Sequence, residues 1–371
     1  MNDKETRLLN VPKINDTKIM IDILKEIGVK VKGDTFYSKK LKTAISSDNP
    51  SKIRASYYLM GALISKCGYV KIKHPGGCKI GDRGINYHLE GFKRMGIKVA
   101  INDFIILEGR SQGGCIDCLK SVGATINFLL ASTNALKITK LINPAKEPEV
   151  LDVINYLQAI DYKIIISDEI IIHPKSKGKS ISYQIIPDRI EALTFMTLGL
   201  LNGNLKIYNA NHNHIESVIN LFKNNNGNVQ IKKNYIHVKK SKLKELSFET
   251  GIYPNIPTDI QQILTVAALF CKKKSVITDN IYVNRFSHCE ELKKMGANII
   301  KVNNTITVYP SSMFGSYVVG NDLRGTAALA IAGLVVKGKT KLSNTSYLER
   351  GYEDFVKKIK KIGGKIIIHD N

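Results

Sequence analysis

The sequence predicts an α/β (α+β) fold built from six repeats, and three observations carry that prediction. One shape recurs six times, an amphipathic helix followed by a turn residue and a short strand: "MIDILKEIGVKV", "HLEGFKRMGIKV", "VINYLQAIDYKI", "VINLFKNNNGNVQI", "HCEELKKMGANI" and "FVKKIKKIGGKI". The turn residues Gly28, Gly96, Asp161, Gly227, Gly296 and Gly363 are spaced by 68, 65, 66, 69 and 67 residues. A second helix type, apolar on nearly every face, alternates with the first.

The amphipathic helices are expected on the surface. Glycine, or aspartate in the third copy, suits the left-handed residue that ends a helix. The apolar helices are "RASYYLMGALI", "ATINFLLASTNAL", "RIEALTFMTLGLL", "DIQQILTVAALF" and "RGTAALAIAGLV". Their alanines and glycines allow close approach between buried helices. The strands that follow them read "YVKIKH", "KITKLI", "LKIYNA", "KSVITD" and "TKLSNT". Each repeat is thus a buried helix, a strand, a surface helix and a strand, with further strands between. Six surface helices stand against five buried ones, so the first repeat is expected to begin halfway. A buried helix with about five core side chains contributes on the order of 10 kcal/mol of burial.

At 371 residues, 43% hydrophobic and 23% charged, the chain is long enough for two or three domains with their own cores. No apolar run has the length of a membrane span, and "MNDKETRLLN" lacks the pattern of a secretory signal, so the chain is read as cytoplasmic. Six scattered cysteines are a reduced-thiol pattern. Cys115 and Cys118 form one CxxC without a second ligand pair, so they read as unrelated thiols and no metal is expected. The net charge of +23 favours anionic partners. The lysines run along the whole chain without a nucleic-acid motif, so a solvated surface outweighs a binding patch as their explanation.

Charge also stands at the openings of the buried helices: Arg54, Arg189, Asp259 and Arg324. An arginine there opposes the helix dipole, which leaves a bound anion or an ion pair as its reason. Asp259 reads equally as a helix cap, with Thr258 as a competing cap. In "HPGGCKIGDRG", Cys78 lies in a glycine-rich, cationic loop with Arg83, where a thiol has a lowered pKa and can donate a proton or attack carbon. Arg350 sits in a turn in "LERGYED", and Lys120, Ser121, Val122 and Gly123 precede a buried helix whose N–H groups can hold a phosphate.

At these residues the sequence resembles the enolpyruvyl transferases, on the branch that uses UDP-N-acetylglucosamine. The markers run through almost the whole chain: "PGGCKIGDRGINYHL", "SVGAT", "EPEVLDVINYL", "IPDRIEA", "YPNIPTD", "NRFSHCEELKKMGA", "DLR" and "RGYED". The resemblance implies a two-lobed inside-out α/β barrel of six βαβαββ-type repeats, with lobes of residues 1–186 and 187–371 and the active site in the cleft between them. It implies transfer of enolpyruvate from phosphoenolpyruvate to the sugar 3′-hydroxyl with release of phosphate. Neither cofactor nor metal is implied, nor a nucleic-acid or membrane partner, and the chain is expected to act as a monomer.

By the same resemblance Cys78 is the proton donor and Asp259 holds or deprotonates the hydroxyl. Arg54, Arg83, Arg324 and Arg350 surround the anions. The nucleotide sugar is bound by Arg54, Arg83, Gly84, Ile85, Asn86, Tyr87, Lys120, Ser121, Val122, Gly123, Asp259 and Ile281, with Glu147, Glu149, Arg189 and Arg285 in support. The loop glycines let a lid move. The chain departs from the family at Gly84, where proline is usual, at Asn86, where aspartate is usual, and at Ser287, where an apolar residue is usual. The family's lysine–asparagine pair belongs to a segment ahead of the first residue here. Two alternatives follow: transfer to another nucleotide, from Asn86, and a silent relative that binds the UDP-sugar, from the lysine. Nucleic-acid binding, resting on charge alone, comes last.

Overall fold

Hydropathy sorts the helices into two kinds, and the structure keeps them apart. The computed structural model describes residues 2–77 and 84–369. Its α-helices there are α1 (Asn15–Glu26), α2 (Tyr58–Cys67), α3 (Asn86–Arg94), α4 (Val122–Ser132), α5 (Pro148–Ala159), α6 (Arg189–Asn202), α7 (Glu216–Asn224), α8 (Gln261–Leu269), α9 (Ser287–Lys294), α10 (Leu323–Val335) and α11 (Phe355–Lys361). The even-numbered helices are the apolar ones. Gly123 to Ser132 of α4 and every residue of α8 are buried. The odd-numbered helices bury one stripe, as α7 does with Val218, Ile219 and Phe222.

The chain divides into two compact units, one ending at Ile186 and the other running on from Pro187. In the first, α2 packs on α4, and the N–H of Gly61 donates to Asn127 Oδ1 at 3.1 Å across that contact. In the second, α6, α8 and α10 pack against one another. Each unit has its own apolar cluster around these helices.

The sheets show how a repeat is wired. In the third repeat, Gly114–Asp117 pairs parallel with Thr139–Ile142, which pairs antiparallel with the hairpin Ile164–Ile166 and Ile170–Ile172. The parallel edge strand precedes the buried helix and its partner follows, so the βαβ connection runs through the core. The fifth repeat uses the same order with Phe248–Thr250 and Ser275–Asp279. In the first repeat that edge is taken by Ile181–Gln184, from the far end of the same unit, parallel to Thr6–Leu9. No local pattern in the sequence indicates this pairing.

Two expectations are corrected. Gly28, Gly96, Asp161, Gly296 and Gly363 adopt positive φ, but in the fourth repeat Asn226 does so (φ 65°) and not Gly227. Asparagine tolerates the left-handed region, and Gly227 is needed for room, since a Cβ there would lie 2.7 Å from the Phe222 carbonyl oxygen. The strand expected after α11 does not form among the described residues: 364–369 are irregular, and Ile367 and Ile368 are exposed. Among the described residues the sheet of that repeat holds Tyr317–Val319 and Lys341–Ser343. No helix of the described residues is long and apolar enough to cross a membrane.

Candidate functional site

The predicted site residues of the first unit gather around the start of α4. Arg54 opens the turn Arg54–Tyr57 that leads into α2, and its guanidinium lies 5.4 Å from the Tyr57 ring centroid. Tyr57 in turn packs on Tyr58 (4.4 Å) and His88 (5.0 Å). A Cβ on Gly123 would stand 2.6 Å from Tyr57 Oη and 3.0 Å from His88 Cε1, so only glycine admits this approach to the first turn of α4. Ser121 caps the helix, accepting from the Ala124 N–H at 3.3 Å. Ahead of it, Leu119 and Lys120 are both left-handed, held by the Leu119 N–H on Asp117 Oδ1 (2.8 Å) and the Lys120 N–H on the Asn143 carbonyl (2.8 Å). The Lys120 side chain is exposed, and Val122 packs partly into the core.

Asn86 and Tyr87 begin α3 next to that loop. Burial raises the Tyr87 phenol pKa, and the neighbouring Asp117 and Cys118 add to it. Gly84 and Asn86 are exposed, but the Ile85 side chain lies in the core, which leaves its backbone for any ligand. His88 is buried, and burial and then Arg54 lower its pKa to about 4, so it is neutral at pH 7. Asn127 Oδ1 accepts from Gly61, so its amide nitrogen donates to His88 Nδ1 at 3.0 Å and the imidazole proton sits on Nε2. Glu147 is the buried residue before α5, and Glu149 in its first turn acts on Tyr58, whose pKa is raised chiefly by burial.

Cys78 and Arg83 lie outside the described residues. Gly76 and Gly77, which lead to them, are described. A Cβ on Gly76 would fall 1.6 Å from the Ser51 carbonyl oxygen, and one on Gly77 (φ 116°) 3.0 Å from Arg54 Cβ. These two glycines give a close fit against the backbone of Ser51 and Arg54. Cys115 is exposed while Cys118 is buried and pushed up to about 12, so the CxxC thiols occupy unlike environments.

In the second unit Asp259 and Arg324 stand at the openings of α8 and α10. Neither Asp259 nor Thr258 caps its helix. Asp259 Oδ1 pairs with Arg285 Nη1 at 2.6 Å, and Arg285 is almost fully buried. Its Nη1 donates to Thr258 Oγ1 at 3.1 Å, and its Nε, a donor only, requires the Gln262 amide oxygen to face it at 2.9 Å. Asp322 caps α10, accepting from the N–H groups of Arg324 (3.0 Å) and Gly325 (2.9 Å). The Arg324 guanidinium lies 5.2 Å from the Tyr352 ring centroid, and Tyr352 Oη is 2.9 Å from Thr194 Oγ1. Burial works against the Arg324 charge, but Tyr352, Asp259 and Asp188 outweigh it and hold the pKa above its usual value. Its Nη1 is nevertheless buried without a hydrogen-bond partner among the described residues.

Arg189 is the first residue of α6, behind the Asp188 cap, and Arg350 ends the turn Thr345–Arg350 two residues before Tyr352. Ile281 follows the strand Ser275–Asp279, and its N–H donates to Asp279 Oδ1 at 3.0 Å. The sequence reading missed Tyr57, Asp279, Asp322 and Tyr352. Asp322 carries a cap signal in "NDLRGT", and the others show none.

Comparison with known proteins matches this arrangement to one family. Residues 1–359 match the EPSP synthase (3-phosphoshikimate 1-carboxyvinyltransferase) family. The chain is 36% identical to the UDP-N-acetylglucosamine 1-carboxyvinyltransferase of Halothermothrix orenii, over 98% of this chain and 91% of the relative. It is 37% identical to that of Buchnera aphidicola, over 97% and 90%. Among solved structures it resembles the enolpyruvyl transferase NikO from Streptomyces tendae (TM-score 0.88, 23% identity, 98% of this chain and 90% of that one). EPSP synthase from Acinetobacter baumannii shares the fold at TM-score 0.75 and 16% identity, over 98% and 91%. The chain therefore belongs to the EPSP synthase family of enolpyruvyl transferases, and the two relatives compared above are UDP-N-acetylglucosamine 1-carboxyvinyltransferases.

Proposed function

We propose that the chain transfers enolpyruvate from phosphoenolpyruvate to the 3′-hydroxyl of UDP-N-acetylglucosamine, releasing phosphate, as the first committed step of peptidoglycan precursor synthesis. The observation that carries this reading is Arg324: a half-buried cation at a helix opening, with its Nη1 buried and without a hydrogen-bond partner among the described residues, is poised for an anion. Asp259 takes the proton of the 3′-hydroxyl, whose oxygen bonds to C2 of phosphoenolpyruvate. Cys78 delivers a proton to C3, so the methylene becomes a methyl group in a tetrahedral adduct. Loss of a proton from that methyl group and breakage of the C2–O bond to phosphate restore the double bond.

Arg54, Arg83, Arg324 and Arg350 hold the phosphate and carboxylate. Gly84 to Tyr87, Lys120 to Gly123 and Ile281 hold the nucleotide sugar, with Glu147, Glu149, Arg189 and Arg285 supporting. The two units serve as the two lobes. The enzyme works as a cytoplasmic monomer without cofactor or metal, and through peptidoglycan it serves cell shape and division.

Asn86 favours a second reading, transfer to another nucleotide, because the exposed start of α3 offers an amide in place of a charge. The test is phosphate release from phosphoenolpyruvate with UDP-N-acetylglucosamine, with other uridine nucleotides and with 3-phosphoshikimate as acceptors. Release with the UDP-sugar alone supports the first reading. Release only with a different acceptor overturns it.

A further inference from the structure

Asp259 is not held by Arg285 alone. Thr258, its neighbour in the chain, accepts from Arg285 Nη1 at 3.1 Å and donates its own hydroxyl proton to Asp279 Oδ2 at 2.7 Å. Asp279 is fully buried at the end of the strand Ser275–Asp279. Its other oxygen, Oδ1, accepts from Thr250 Oγ1 (2.8 Å) and from the N–H groups of Ile281 and Tyr282 (3.0 Å each). Because Arg285 is a donor only and the carboxylate an acceptor only, the Thr258 hydroxyl has one orientation that satisfies both. The chain of bonds therefore runs in one direction, from the guanidinium that grips Asp259 to the carboxylate that fixes the backbone at Ile281.

We infer that Thr258 and Asp279 form a positioning relay for Asp259, locking Arg285, and through it the carboxylate that takes the hydroxyl proton, to the same buried group that sets the Ile281 segment. The inference rests on the proposed transfer and adds to it the residues that align its base with an acceptor-contacting segment. Neither relay residue touches the reacting atoms. They act by removing freedom from Arg285, whose remaining Nε bond goes to Gln262.

The test uses the full chain with phosphoenolpyruvate and UDP-N-acetylglucosamine. Thr258→Val keeps the shape and removes the hydroxyl, while Thr258→Ser keeps the hydroxyl. The relay predicts that Thr258→Val lowers kcat roughly tenfold to a hundredfold, the scale of a misaligned general base. The KM for phosphoenolpyruvate and the calorimetric Kd for the UDP-sugar stay within about twofold of wild type, because the anion-holding arginines are untouched. Thr258→Ser restores kcat, and Asp279→Asn, which turns the Oδ2 acceptor into a donor, costs no more in combination with Thr258→Val than alone.

A wild-type kcat in Thr258→Val overturns the relay and leaves the transfer reading standing. Equal impairment of Thr258→Ser and Thr258→Val also overturns it, since packing then explains the loss. Wild-type protein that neither releases phosphate nor binds the UDP-sugar overturns the transfer reading, and the relay falls with it.

Discussion

The first unit has two buried helices among its described residues, α2 and α4, and the second has three, α6, α8 and α10. The surface helices register the difference. In the second unit α7 buries Val218, Ile219 and Phe222, while in the first unit α1 buries Ile23 alone and leaves Ile19, Met20 and Leu24 half covered. The apolar stripe on α1 has the same spacing as the others, so the stripe belongs to the repeat and its coverage to the neighbours beneath. The candidate groups follow the same division. Arg54 of the first unit rests on an aromatic face. Arg324 of the second lies over a ring in the same way, and the difference is Asp259, tied into a network of buried polar groups.

A pair of histidines sharpens the comparison. "HLEGFKRMG" and "HCEELKKMG" place His88 and His288 at matching points of the second and fifth repeats. Both are buried with pKa lowered to about 4, chiefly by burial. His88 has the Asn127 amide on Nδ1, whereas His288 Nδ1 has no partner among the described residues. One repeat motif therefore carries two polar environments.

The largest effect is expected at Arg324. Arg324→Met should lower kcat/KM for phosphoenolpyruvate about 10³-fold. Some stability should be lost with it, because Tyr352, Asp259 and Asp188 favour the cation in the folded chain. Loss of stability with activity intact would reverse this assignment. Next comes the three-helix core: Leu264→Ala in α8 should cost about 2–5 kcal/mol in urea denaturation. In the two-helix core the sensitive point is the close approach of α2 to α4. Gly61→Ala places a Cβ 2.3 Å from the Asn127 backbone oxygen, an overpacking expected to cost about 3 kcal/mol.

The histidines contribute to the acid limb of stability. Each folded pKa is below the unfolded value, so the contribution is complete above about pH 6.5 and is lost as the pH falls toward 4. Each accounts for on the order of 3 kcal/mol across that window. His288→Leu should remove its own share of that acid loss at little cost at pH 8. His88→Leu should remove a similar share but cost about 1–3 kcal/mol at pH 8, because the Asn127 amide loses its acceptor. Equal behaviour of the two variants at pH 8 would erase the contrast. The smallest effect is expected in α1, where Ile19→Ala should cost about 1 kcal/mol.

The helices were legible because hydropathy with a fixed period reports burial directly, and the pattern distinguishes α4 from α5 without any long-range information. What stayed hidden depends on contacts distant in the chain. Ile181–Gln184 pairs with Thr6–Leu9 across almost the whole unit, and nothing local marks it. The same holds for the site. Arg54, Asp259 and Arg324 stood out as charges at the starts of apolar helices, where charge needs a reason. Tyr57 and Asp279 did not, because an aromatic or acidic residue at an element's end is unremarkable until its partners are known. The left-handed turn at Asn226 was misassigned because a neighbouring glycine offered the more obvious reading, and only packing against Phe222 separates the two.

The proton abstraction assigned to Asp259 can be measured directly. Phosphate release by Asp259→Asn, with both substrates saturating, is compared with wild type, and UDP-N-acetylglucosamine binding is followed by calorimetry. The expected result is sugar-nucleotide affinity within a few-fold of wild type and a kcat lower by about 10²–10⁴-fold. An Asp259→Asn enzyme that releases phosphate at the wild-type rate would contradict the account.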